Sequence, residues 1–201
     1  DNKNKNYSIR VFTPSSREDW LLALEYIKAL AKKFDSKIIS ETGEEYTVDN
    51  IDKFDYEGDI LYGIDGISSR VKGEDSTLYS IFGINRIVSF NQEMIDRIEN
   101  SDSPIDTFSN MVKEIQYLDA FSANQRFFRN KEDGKIIGAY TLTQNLRTIL
   151  PYKPSVEFEN SDMVKNEDIA FWNIGLVTID GDENDRNSYN VAAHLDYDDF
   201  I

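Results

Sequence analysis

An α+β fold is predicted for this 201-residue sequence by three features. Strand-forming runs outnumber helical ones and pair mainly through hairpins, the helical periodicities fall in the first 120 residues, and one long amphipathic helix carries a stripe that needs a partner surface. The expected architecture is a mainly antiparallel sheet built from hairpins, with helices packed on one face and the amphipathic helix over 16–34 as the main packing element. A single domain over 7–200 is expected, after a flexible polar lead-in over 1–6, DNKNKN.

The stretch Ser15 to Phe34 sets Trp20, Leu24, Ile27, Ala31 and Phe34 at steps of four and three, on one face of a 3.6-residue period. Ser15 with Glu18 reads as a capping box, and Lys32 and Lys33 suit the negative end of the helix. Before it, Tyr7–Thr13 alternates and is rich in β-formers, which predicts a strand, and a stripe with Trp and Phe predicts a sheet against the helix. After it, Lys37–Ser40 and Glu45–Thr47 flank a hairpin turn around Gly43, and Thr47 is placed to cap a short helix through Phe54. Tyr56, Ile60, Ile64, Ile67 and Val71 again repeat at helical spacing. Gly58, Gly63 and Gly66 cost such a helix about 1 kcal/mol each relative to alanine, so either close packing needs them or the segment is partly irregular.

Ser76–Phe82 and Arg86–Phe90 predict a second hairpin, and Asn91 caps the short helix QEMIDRI. Ser103 caps another, with Pro104 first and Ile105, Phe108, Val112 and Ile115 on one face. Phe121–Asn130 and Lys135–Thr143 flank KEDG, the strongest hairpin signal in the chain. Thr148–Tyr152 and Ser155–Glu159 are short extended pieces. Ile169–Asp180 is an apolar run read as a central strand, and Ser188–Leu195 is the last strand, ahead of an acidic tail, DYDDF.

Composition narrows the function. A chain of this length buries roughly 70% of its unfolded surface, so no metal or disulfide staple is required. Zero cysteines remove disulfides, thiolate metal sites and cysteine nucleophiles together. Neither a run of membrane length nor a secretory leader is visible, so the cytoplasm is the expected location. The net charge of −15 is uneven: residues 1–100 carry −6, residues 101–150 are neutral, and residues 151–201 carry −9. Such a field opposes nucleic-acid phosphates and anionic lipid and favours basic partners or plain solubility.

Candidate chemistry is sparse. His194, the only histidine, has Asp196 two residues on, but no GxSxG elbow accompanies them, and ordinary strand packing is the preferred reading. Asp180, Asp182, Asn184 and Asp185 in DGDEND are the candidate metal ligands; an EF-hand loop needs glycine where Asp185 stands and glutamate where Val191 stands, so a solvated loop is preferred. Glu157 and Glu159 share a face if SVEFE is a strand, as do Asp55, Glu57 and Asp59 if DYEGD is extended. Arg126, Arg129, Lys131 and Lys135 with Phe127 and Phe128 form the one basic and aromatic patch, read as edge-strand protection rather than as a nucleic-acid platform. No Walker A, GxGxxG, HExxH or CxxC motif occurs, and no cofactor is expected.

The stretches YSIRVFTPSSREDW, FDYEGDILYGI, FGINRIVSFNQEMI and RTILPYKPSVEFEN resemble a bacterial family, mainly Gram-positive, filed as a domain of unknown function. The resemblance covers most of the chain and implies that these residues are the larger C-terminal part of such a protein, in keeping with a start at Asp1 rather than methionine. It assigns no catalytic residue. The expected function is therefore a non-enzymatic, cytoplasmic binding or regulatory protein whose acidic surface engages a basic protein. Glu157, Glu159, Asp196, Asp198 and Asp199 are the partner-binding candidates, and neither nucleic acid nor membrane is expected as a partner. The alternatives are a carboxylate-dependent hydrolase assisted by magnesium or calcium, and a DNA-mimic or immunity-type inhibitor.

Overall fold

The computed structural model describes residues 6–73, 78–157 and 160–201, so the lead-in over 1–5 and Glu159 lie outside the described residues. The fold is α+β, and the chain divides into two compact units, Asp1–Leu118 and Asp119–Ile201.

Among its described residues the first unit holds four α-helices: α1 (Arg17–Phe34), α2 (Tyr56–Val71), α3 (Gln92–Glu99) and α4 (Pro104–Gln116). Two short antiparallel hairpins accompany them, β1 (Ile38–Ile39) with β2 (Glu45–Tyr46) and β3 (Tyr79–Ile81) with β4 (Val88–Phe90). Its core gathers Ile60, Ile64 and Ile67 of α2 with Ile95 and Ile98 of α3, and Phe90 stacks on Phe108 with ring centroids 5.8 Å apart.

α1 starts one residue later than its sequence suggests. Ser16, not Ser15, is the N-cap: its Oγ accepts from Asp19 N at 3.2 Å, and the Asp19 carboxylate accepts from Ser16 N at 3.2 Å. The third helical residue is then Asp19 rather than Glu18, and Glu18 pairs with Lys113 at 3.6 Å instead. The stripe buries Trp20, Leu24 and Ala31, but against helices and aromatic loops rather than a sheet, with Phe54 and Tyr56 at 5.4 and 6.5 Å from the Trp20 ring. The neighbouring strands span only two or three residues, too few to cover an 18-residue helix.

Tyr7–Thr13 forms no strand. The segment lies beside α1, with Ile9 and Val11 half-buried and the Tyr7 ring stacked on Phe34 at 4.6 Å. The period-two pattern is thus satisfied by side-chain packing, without a ladder. Thr47 is not a helix cap either: Thr47 N donates to Asn50 Oδ1 at 2.6 Å, and a single 3-10 turn, Ile51–Lys53, follows.

α2 is regular through all three glycines. A Cβ at Gly63 would lie 2.5 Å from Pro14 Cβ, whereas one at Gly66 would meet nothing within 4 Å. Close packing therefore explains Gly63 and leaves Gly66 without a packing reason.

The second unit contains β5 (Phe121–Ser122), β6 (Asn124–Arg129), β7 (Ile136–Thr143), β8 (Thr148–Ile149), β9 (Ile169–Ile179), β10 (Tyr189–Asp196) and α5 (Tyr197–Phe200). Four strands form a sheet in the order β10-β9-β7-β6. β9 is central, as its apolar run predicts, antiparallel to β10 and parallel to β7. The KEDG hairpin forms with Gly134 at φ 73°, and β5 pairs with β8 in parallel. One face carries Tyr140, Ile174 and Trp172 and is covered by Tyr197 of α5 and by Leu150. Trp172 occupies the space where a Cβ at Gly138 would stand.

Gly63→Ala is expected to destabilise the protein by about 1–3 kcal/mol through the clash with Pro14. Gly66→Ala is expected to stabilise it by up to about 1 kcal/mol through helix propensity alone. Urea denaturation of the two variants measures both, and equal effects would remove the close-packing explanation.

Candidate functional site

Among the described residues, seven acids of the first unit pair with cations, and others cap helices. Asp55 caps α2 by accepting from Gly58 N at 2.9 Å, and Asp59 accepts from Thr13 Oγ1 at 2.8 Å. The Arg17 guanidinium bonds to Glu57 and, at 3.0 Å, to Asp106, which raises its pKa still further above the ordinary value. DYEGD is thus the start of a helix, so Asp55, Glu57 and Asp59 do not share the face of an extended run. Further pairs join Lys28 to Asp52, Lys37 to Glu45 and Lys72 to Glu99.

The second unit is arranged differently. Asp180, Asp182, Glu183 and Asp185 lie in the turn after β9, and Asp196, Asp198 and Asp199 lie where β10 runs into α5; all seven are exposed. None of the seven makes an ion pair among the described residues, where the unit's pairs are Lys135–Asp133 and Lys165–Glu167. Counting from the sequence, the two units carry −8 and −7. Exposed acids without an ion pair among the described residues also occur in the first unit, at Glu41, Asp49, Asp65, Glu93, Asp102 and Glu114, so what marks the seven is their grouping at the two ends of β10.

DGDEND is organised by its own hydrogen bonds. Asp182 Oδ1 accepts from Asn184 N at 2.9 Å and from Asn184 Nδ2 at 3.0 Å, which holds its pKa below the usual carboxylate value. Asp185 Oδ1 accepts from Asn187 N at 2.9 Å and caps the 3-10 turn Arg186–Ser188. Asn184 thus donates its side-chain amide to Asp182, and Asp180 donates its backbone N–H to Ser188 O at 2.8 Å. Among the described residues no three Asp, Glu or His side chains gather as metal ligands.

Glu157 does not sit on a strand. Its backbone N donates to Gln125 Oε1 at 3.1 Å, in a network where Gln125 Nε2 donates to Tyr140 Oη at 2.6 Å and Tyr140 Oη donates to Ser155 O at 3.3 Å. Glu159 lies outside the described residues. His194 stands exposed on β10 opposite Gly175, with Asp196 two residues on, but the Asp196 carboxylate accepts from Asp198 N at 3.0 Å and caps α5. The basic and aromatic patch is divided between the sheet's faces. Phe127 packs edge-on to Trp172 at 6.0 Å on the covered face, while Arg126 and Phe128 alternate onto the other. β6 is an edge strand, so the sheet runs from a basic edge to one flanked by acids.

A model of one family matches residues 1–201. The chain belongs to the family described as a domain of unknown function, DUF4299. No curated protein and no solved structure matches it. The membership agrees with the resemblance read from YSIRVFTPSSREDW and its companion stretches. Among the described residues of this DUF4299 chain, no helix is long and apolar enough to cross a membrane.

Sequence reasoning missed Tyr140 and Tyr197, the buried pair that sets where the terminal acids point. Their rings lie 5.6 Å apart, and Tyr197 Oη donates to Pro151 O. A tyrosine between acids in DYDDF reads as part of a solvated tail; a hairpin ending just before it was the available signal. Burial pushes the Tyr140 phenol up to about 12, with the Glu157 charge adding to the rise, and burial also raises Tyr197. Both phenols stay neutral in the folded state after they would ionise in the unfolded chain. Their contribution is therefore complete below the unfolded value near 10 and is lost as pH rises from there toward about 12. Tyr140→Phe is expected to cost about 1–2 kcal/mol at neutral pH and to flatten part of this alkaline loss. Denaturation curves from pH 7 to 11 measure both effects.

Proposed function

We propose that this chain is a non-enzymatic, cytoplasmic binding or regulatory protein whose acidic β9–β10 hairpin engages a basic protein. The observation that carries the reading is the set of seven exposed carboxylates between Asp180 and Asp199 without an ion-pair partner among the described residues. Acids with intramolecular cations have spent their field within the fold, whereas these seven project theirs into solvent. Each exposed pair formed with a partner contributes on the order of 1 kcal/mol or less, so the effect lies in summed attraction and faster encounter.

The hairpin suits this role because its charges are positioned. Asp182 and Asp185 are held by their loop, and Asp196 by its cap to α5. A partner meets two acidic ends separated by the length of β10, roughly 25 Å at about 3.3 Å per residue. Tyr189 to Leu195 carry no acid between those ends, so the arrangement does not reproduce the continuous charge row of a DNA backbone.

The test is a variant with Asp180, Asp182, Asp196, Asp198 and Asp199 changed to Asn and Glu183 to Gln. The parent chain is expected to capture basic proteins from lysate at about 0.05 M salt and to release them by about 0.3 M, as screening shortens the field's reach. The variant is expected to capture none of them. A variant that retains the same proteins would overturn the reading.

A further inference from the structure

We infer that the outer edge of β10, along Ala193–Asp196, is a docking strand for an extended segment of a basic protein with lysine or arginine alternating with apolar residues. The inference rests on the acidic-hairpin reading and adds the mode of binding and the pattern of the partner.

β10 ends the sheet order, and no strand pairs with its other edge among the described residues. Seven of its eight residues are exposed. An edge strand turns alternate N–H and C=O groups outward, a template for another extended chain. Proteins often blunt such an edge, and here the device is local: the register shifts between Val191 and Ala193, which bends the strand there. From Ala193 to Asp196 the pairing is regular again, opposite Leu176, Gly175, Ile174 and Asn173.

The alternation along this run specifies the partner. Leu195 lies opposite Ile174 and Ala193 opposite Leu176, on the covered apolar face, while His194 and Asp196 lie on the other. Leu195 nevertheless keeps 38% of its surface exposed at the open edge. Residues directly across an added strand pair come within about 5 Å. An incoming strand therefore places one set of side chains beside Ala193 and Leu195 and the other beside His194 and Asp196, and the next two acids, Asp198 and Asp199, follow in α5. Apolar groups fit the first set and cations the second. The opposite edge, β6, carries Arg126 and Arg129, so it is closed to the same partner by charge.

The test uses the full chain and two acetylated, amidated ten-residue peptides of equal charge, (Lys-Val)5 and (Lys-Pro)5. Proline removes every second N–H and favours polyproline II, so only the first peptide forms a ladder. Fluorescence anisotropy at low salt is expected to show (Lys-Val)5 binding at least about tenfold more tightly, with slowed amide exchange confined to β10. The triple variant D196N, D198N and D199N, which keeps an N-cap at 196, is expected to weaken that binding about tenfold or more. Equal affinity of the two peptides without exchange protection would sink the docking strand while leaving the acidic-hairpin reading standing. Failure of both peptides to bind would remove both. Salt-sensitive self-association that protects β10, seen by sedimentation without peptide, would make a second copy the occupant and overturn the proposal.

Discussion

The first unit depends on how closely its other elements approach α2. This helix buries Ile60, Gly63, Ile64, Ile67, Ser68 and Val71 along one side, and contacts α1, α3 and α4. The missing side chain at Gly63 lets Pro14 sit against the helix just before the α1 cap. Buried Ser68 donates to Glu99 at 2.5 Å, and Lys72 reaches the same carboxylate at 2.6 Å, which holds its pKa down and joins α2 to α3. Each fully buried isoleucine contributes roughly 1.5–3 kcal/mol, against about 1 kcal/mol or less for an exposed ion pair. Burial therefore drives the assembly, and the pairs select among its arrangements.

Arg17 does much of that selecting. Its backbone N donates to Ser109 Oγ at 2.9 Å, while its guanidinium takes Glu57 and Asp106, so one residue ties α1 to both α2 and α4. The second unit reaches the same end with aromatic rings. Tyr197 folds the last turn onto Tyr140 and closes one face of the sheet. The acids around Tyr197 have no comparable place inside and are carried to the surface. One element thus stabilises the sheet and sets out the charge on which the proposed function rests.

Local patterns were legible wherever a few neighbouring residues decide the outcome. Gly43 and Gly134 mark turns and adopt positive φ, Asn91 caps α3, and the apolar run from Ile169 makes a strand with neighbours on both sides. Tyr7–Thr13 alternates without forming a strand because alternation records which side chains turn inward, and packing on α1 meets that demand as well as a ladder does. Ser15 with Glu18 and Ser16 with Asp19 both fit the capping motif, and the start of the helix chooses Ser16. The alternation in SVEFE predicts a strand face for Glu157, but its backbone partner is Gln125, 32 positions earlier, which no local pattern reveals.

By itself the sequence determined the class of fold, most of its elements and the size and location of its negative charge. These follow from composition and from spacings of a few residues. Which charges act outward was decided only by the tertiary structure. Arg17 finds its acids 40 and 89 positions away, while Asp196, Asp198 and Asp199 find no cation among the described residues. Charge neutralisation depends on distances across the folded chain, and those distances exist only after burial has brought remote segments together.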